Sequence, residues 1–282
     1  MKTERLRVAQ ICAPLMMSFA LSTAALAGSE TEPGRTMGFP AGPVPEGFYY
    51  TNITDYGQRS ASSGTTTSAN EVLDFFWSTP WRILGANLAI DVAPTLSEIG
   101  QSRQPYVNGV YNPYFGAVLG WDLGNGFKAS YTIGGYTPLN TVVSGNFGTF
   151  EQRFGLSYLA NGWNVTGRFI VGLPGKDQDA GRITAPDYLN FDWTVTKKFG
   201  KWEAGLIGFA SADLNKPYAG YAEQSQVAVG GLVGYDLGPV TVRLKATRTI
   251  SQANYGGYDT RVWTDIGFAL WTPSPSSSLI TK

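Results

Sequence analysis

The feature that most constrains this chain is a strict two-residue alternation of apolar and polar side chains, recurring in segment after segment. Phe127, Ala129, Tyr131 and Ile133 face one way while Lys128, Ser130 and Thr132 face the other. Val240, Val242, Leu244 and Ala246 likewise oppose Thr241, Arg243, Lys245 and Thr247, and Leu189, Phe191, Trp193 and Val195 oppose Asn190, Asp192, Thr194 and Thr196. A period of two with one apolar face means a β-strand with unlike surroundings on its two sides. In a soluble sandwich that apolar face points inward; in a membrane barrel it points out to lipid.

The connections separate the two. Tight turns fall at Asp122–Gly126, Ala160-Asn161-Gly162, Phe199-Gly200-Lys201 and Asp236–Pro239. Asn-Gly is a favoured hairpin pair because both central residues need positive φ. Between the hairpins lie polar stretches, 58–70, 95–111, 138–149, 173–187, 214–224 and 249–259. Short turns alternating with long loops is the pattern of a bacterial outer-membrane barrel, with turns periplasmic and loops extracellular. A sandwich has no reason to alternate so regularly. The four turns imply eight strands between 112 and 248, and 260–271 descends as the last strand. Before them Phe48–Gly57 rises, Glu71–Trp77 descends, Ser78-Thr79-Pro80 turns and Trp81–Val92 rises. The expectation is an all-β, antiparallel up-and-down barrel of about twelve strands over residues 47–271. Glu71–Trp77 is its weakest element and also reads as a short helix.

The N-terminus names the compartment. Lys2, Arg5 and Arg7 precede an apolar run from Ile11 to Leu26, closed by Ala25-Leu26-Ala27. This is a signal peptide cleaved after Ala27, with Ala25 and Ala27 as the small cleavage-site residues. Removing Lys2, Arg5, Arg7 and Glu4 from a chain of 21 basic and 21 acidic residues leaves 18 against 20, a net charge of −2. Near neutrality argues against a nucleic-acid partner. The single cysteine, Cys12, leaves with the signal, so no disulfide is available. The expected partners are outer-membrane lipid, the barrel-assembly machinery and small-molecule solutes. Residues 28–46, rich in Gly and Pro and without periodicity, read as a leader, with a plug folded into the lumen as the alternative. Residues 272–282 form a Pro/Ser-rich tail.

Tryptophans gather near the expected strand ends, most of them beside the short turns: Trp77, Trp81, Trp121, Trp163, Trp202 and Trp271. An aromatic girdle at the membrane interface has this placement. The polar faces of the strands assign Asp91, Lys128, Glu151, Arg153, Arg168 and Asp192 to the lumen, and with them Glu203, Arg243, Lys245, Arg261 and Asp265. An Arg or Lys facing lipid at mid-depth would cost about 2–4 kcal/mol. The signs nearly balance, so cross-barrel ion pairs and weak ion selectivity are expected, with Arg153, Arg168 and Arg243 lining any constriction. Twelve strands fall between filled eight-stranded barrels and open porins.

Catalysis is a poor fit. Histidine is absent, which removes the usual general base, the Ser-His pair and the commonest metal ligand. Asp177, Asp179 and Gly181 resemble the start of a calcium loop, but Arg182 and Tyr188 stand where Gly and Glu are required. No catalytic residue, metal or cofactor is expected.

Three stretches carry a family resemblance. They are Gly42-Pro43-Val44-Pro45-Glu46-Gly47-Phe48-Tyr49-Tyr50-Thr51-Asn52, then Thr79-Pro80-Trp81-Arg82-Ile83-Leu84-Gly85-Ala86, then Val229-Gly230-Gly231-Leu232-Val233-Gly234-Tyr235-Asp236-Leu237-Gly238. In this order they resemble the outer-membrane transporters associated with the meta pathway of phenol degradation. The resemblance implies a barrel for passive uptake of small compounds, aromatic or otherwise hydrophobic. Such barrels usually stop on an aromatic; here Trp271 is followed by the tail. The alternative is a sealed barrel with a structural or adhesive role through its loops. A secreted ligand-binding sandwich is a third reading.

Overall fold

The computed structural model describes residues 28–61, 64–102 and 104–273. Twelve strands follow one another: β1 (Gly47–Ala61), β2 (Gly64–Ile83), β3 (Ala86–Gln101), β4 (Val107–Gly124), β5 (Phe127–Tyr136) and β6 (Thr149–Ala160). They continue as β7 (Trp163–Pro174), β8 (Tyr188–Phe199), β9 (Trp202–Asp213), β10 (Ser225–Asp236), β11 (Val240–Ala253) and β12 (Tyr258–Trp271). Each pairs antiparallel with its neighbour, and β1 pairs with β12 to close the barrel. The expected all-β up-and-down barrel is the observed fold.

Alternation does the sorting. Along β6, Phe150, Phe154 and Leu156 are exposed on the outer wall while Glu151, Arg153 and Ser157 are buried inside. An exterior of Phe, Leu and Val around a polar interior is stable only where hydrocarbon replaces water outside.

Two sequence expectations are corrected. The first turn is not Ser78-Thr79-Pro80: β2 continues through it, with Ser78 and Arg82 flanking a register shift, and turns at Leu84-Gly85. Leu84 and Gly85 take φ of 52° and 76°, as a type I′ hairpin demands. A proline donates no ladder bond, so it is tolerated only where pairing already breaks. Pro80 and Pro94 lie at such shifts in β2 and β3. Glu71–Trp77 is accordingly no short helix but the middle of a 20-residue strand.

The second correction concerns stretches 58–70, 95–111 and 249–259, which are mostly strand. Gln58 pairs with Thr67, Ser60 with Thr65 and Ile99 with Val107. Their polar residues suggested loop because both faces of an extension beyond the membrane meet water. The Thr65-Thr66-Thr67 run favours extended backbone all the same. The connections over 138–148, 175–187 and 214–224 are loops as expected. The signal peptide with Ala25 and Ala27, and the tail from residue 274, lie outside the described residues.

Residues 28–46 run inside the barrel. Three successive turns compact the segment, from Arg35 N to Glu32 O, Met37 N to Gly34 O and Phe39 N to Thr36 O. Gly34 and Gly38 take φ near +90°, and a Cβ at Gly34 would sit 2.7 Å from the Phe209 ring. Met37 is fully buried in a cluster with Ile207, Phe209, Ala228 and Leu232 of β9 and β10. Burying such a side chain contributes roughly 1.5–3 kcal/mol.

Candidate functional site in the barrel lumen

The internal segment is held on one side by its backbone. Gly34 N donates to Asp192 Oδ1 at 2.8 Å, and Thr36 donates to Asp192 Oδ2 from its backbone N and its hydroxyl at 2.9 and 2.7 Å. Gly38 N donates to Thr194 Oγ1 and Ala41 N to Ser157 Oγ, at 2.8 and 2.7 Å. Asn190 Nδ2 donates to Thr31 O at 2.9 Å. These partners stand on β6 and β8. Amides that cannot pair in a ladder thus find side-chain acceptors presented by every second wall residue.

Beneath the segment lies a charged network. Thr31 Oγ1 and Tyr188 OH both donate to Glu151 Oε2 at 2.6 Å, and Arg153 Nε donates to Glu151 Oε1 at 2.6 Å. Arg153 also stacks 4.0 Å from the Tyr114 ring centroid and lies 3.9 Å from Asp91. On β9 to β12, Lys245 pairs with Asp265 at 3.0 Å and donates to Met37 O at 3.2 Å, while Arg243 pairs with Glu203 at 3.3 Å. A third cluster gathers Glu32, Asp55 and Asp259 around Arg261, with Asn70 donating to Glu32 at 3.0 Å.

Although Ser78 Oγ donates to Val44 O at 2.7 Å, the segment presents mostly side chains towards β1–β4. Glu30, which belongs to no strand, is among them; burial pushes its carboxyl up to about 8, against the opposing pull of hydrogen bonds from Asn112 and Tyr111. Two cavities of about 30 Å³ each open on this side, room for a water or two. The outer one is lined by Arg59, Ser68, Tyr111, Tyr255, Asp259 and Arg261. The inner one is lined by Glu30, Arg35, Ile53, Val72, Tyr136 and Trp263. Asn70, Ser97 and Tyr111 border both.

All eleven residues assigned to the lumen from sequence point inward, but not into one group. Asp91, Glu151 and Arg153 meet under Thr31; Glu203 meets Arg243, and Lys245 meets Asp265. Asp192 and Arg168 engage the segment separately, Arg168 through Pro40 O at 3.3 Å. Arg261 stands in the third cluster, and Lys128 pairs with Asp122 at 3.5 Å. Arg153, Arg168 and Arg243, expected at a constriction, border neither cavity. Asp55, Asp259, Arg59, Glu30, Glu32 and Arg35 do, and sequence reading missed them. Asp259 fell in a presumed loop, and the face of β1 was hidden because its outward Asn52 and Thr54 are also polar. The parity of Ile53, Asp55, Gly57 and Arg59 was the available signal. Of the six tryptophans, Trp81, Trp121, Trp163 and Trp202 stand near turns and Trp271 ends β12. Trp77, expected beside a turn, lies within β2 because the turn falls at Leu84-Gly85. Trp77 and Trp81 touch edge-on at 5.5 Å, Trp202 meets Tyr235 at 4.6 Å, and Trp121 Nε1 donates to Leu84 O at 3.1 Å.

The fold has known counterparts. The chain is similar to the COG4313 outer membrane channel from Pseudomonas putida F1, with 10% identity and a TM-score of 0.69 over 80% of this chain and 97% of that one. It is more distantly similar to the NanC porin, with 13% identity and a TM-score of 0.48 over 78% and 100%. The translocator domain of the autotransporter NalP from Neisseria meningitidis gives 9% identity and a TM-score of 0.47 over 80% and 89%. No curated protein sequence matches at a significant level. The likeness to the COG4313 channel is one of fold, a closed antiparallel barrel. Residues 50–265 match the family described as "Putative MetA-pathway of phenol degradation", and the chain belongs to that family.

Proposed function

We propose that this outer-membrane barrel admits small organic solutes, aromatic compounds among them, by diffusion, and that residues 28–46 act as its internal plug. The observation carrying this reading is the one-sidedness of the docking. Most of the segment's backbone bonds go to β6–β8, with others from Lys245 of β11 and Ser78 of β2, while the cavities lie chiefly against β1–β4 and β12. A solute passing there would meet the rings of Tyr111, Tyr136, Tyr255 and Trp263, with charged groups between them. Ring faces with a few polar groups suit planar, weakly polar solutes. The family's link to phenol degradation agrees with that chemistry.

The test is conductance of the purified protein in planar bilayers, with phenol and a sugar of similar size compared as blockers of the current. Steady discrete steps, reduced by phenol at lower concentration than by the sugar, are expected. Silence from folded, inserted protein would instead favour a sealed barrel acting through its loops.

A further inference from the structure

The apolar band around the barrel's exterior is interrupted on one side. β1 turns its even-numbered residues outward, and between Tyr50 and Tyr56 these are Asn52 and Thr54. Asn52 Nδ2 donates to Glu71 Oε1 of β2 at 2.8 Å, and Thr54 Oγ1 donates to Asn52 Oδ1 at 2.8 Å. Thr264 of β12 stands directly beside Thr54. Below this group the wall is Tyr50, Phe75 and Phe268, above it are Tyr56 and Val262, and Leu96 and Ile266 stand beside it. Glu71 stands at the outer edge of the hydrocarbon-facing band, with Leu73 and Phe75 on one side along β2 and Ala69 and Thr67 on the other. Among the described residues an amide is its only hydrogen-bond partner, so its charge is left without a cation.

Arg248 is its counterpart. It faces outward on β11, exposed between Leu244 and Ile250, beside Val229 of β10. Its guanidinium donates to Thr260 of β12. Among the described residues neither Glu71 nor Arg248 belongs to an ion pair. The hydrogen-bonded row from Glu71 runs through Thr54 and Thr264 to Leu244, and strand tilt carries that row towards the periplasm. Arg248 lies four residues further along β11 from the periplasmic turn than Leu244, which offsets that descent and brings it back towards the level of Glu71.

We propose that two copies of this chain associate side by side in the membrane through the outer faces of β12 and β1, with Glu71 of each copy pairing with Arg248 of the other. A two-fold axis along the membrane normal at the β1–β12 seam sets β2 of one copy against β11 of its partner. The contact is then self-complementary, as a two-fold interface requires. Asn52, Thr54 and Thr264 lie next to the axis, where their polar atoms meet their own kind rather than hydrocarbon. An anionic lipid headgroup would satisfy Arg248 but leave Glu71 without a cation, so a second copy fits both. The proposal is independent of what crosses the lumen.

The test uses the full chain in its native outer membrane, in a Cys12→Ser background so that introduced thiols are the only ones. Thr264→Cys should give a species of doubled mass with a short bismaleimide, and Leu156→Cys, exposed on β6 across the barrel, should not. In mild detergent, Glu71→Arg and Arg248→Glu should each lower the dimer fraction at least tenfold, and the two together should restore it. Restoration by the charge swap excludes misfolding as the cause. Absence of the Thr264→Cys product, or a charge swap that stays monomeric, would overturn the proposal. So would loss of dimer with Arg248→Glu but not with Glu71→Gln, which would assign Arg248 to a lipid phosphate.

Discussion

Asp192 on β8 accepts both the backbone N–H and the hydroxyl of Thr36, at 2.9 and 2.7 Å, so one wall carboxylate fixes the middle of the internal segment. Hydrogen bonds to a charged acceptor contribute about 1.5–3 kcal/mol each. Asp192→Ala should therefore loosen the segment and raise the fraction of open channels by about two orders of magnitude, read as single-channel open time. Asp192→Asn, which keeps an acceptor, should fall between. Equal open times in all three proteins would remove Asp192 from the docking.

Deleting residues 28–44 should raise steady conductance several-fold while the barrel still resists unfolding in cold detergent. Conductance unchanged from the intact chain would mean that the segment does not limit flow.

Glu30 makes that docking pH-dependent. Its carboxyl is raised from 4.5 to about 8 when buried, so the docked state holds a proton that the released state gives up. The contribution is fully present below the unperturbed value, declines as pH rises, and is exhausted above about 8. Across that window each pH unit changes the equilibrium by up to about tenfold. Open probability should climb from pH 6 to pH 8 and then level off, and Glu30→Gln should flatten the climb. A climb that survives Glu30→Gln would place the titrating group elsewhere.

Arg261 is ion-paired with Glu32, Asp55 and Asp259 together. Arg261→Ala strands buried carboxylates together and should cost about 3–5 kcal/mol, measured by urea unfolding in micelles. Arg261→Lys should recover part of this, because an ammonium lacks the planar fork that reaches several carboxylates at once. Wild-type stability in the alanine variant would show the cluster to be hydrated.

The same acids bear on ion selectivity. Sequence reading balanced six basic against five acidic lumen residues, but the cavity walls add Glu30, Glu32, Asp55 and Asp259 against Arg35 and Arg59. Glu30 contributes its charge in the docked state only above about pH 8, and there a modest preference for potassium over chloride is the expected outcome of reversal potentials in a KCl gradient. Preference for chloride would show that the conducting path follows other residues.

Much of the wall was legible in the chain itself. Alternation in Phe127–Ile133 and Val240–Thr247 determined strands, the Asn161-Gly162 pair determined a hairpin through its φ of 52° and 80°, and the parity of turns and loops determined twelve strands. These are local properties, set by pleat geometry and by the backbone each residue tolerates. Tertiary structure alone decided what residues 28–46 do, because their amides bond one by one to Asp192, Thr194 and Ser157, far away in sequence and without a period to detect. It also decided the fate of the polar residues on both faces of β1. Whether Asp55 meets Arg261, or Glu71 meets the outer band, depends on how the closed and tilted barrel sets distant strands beside one another.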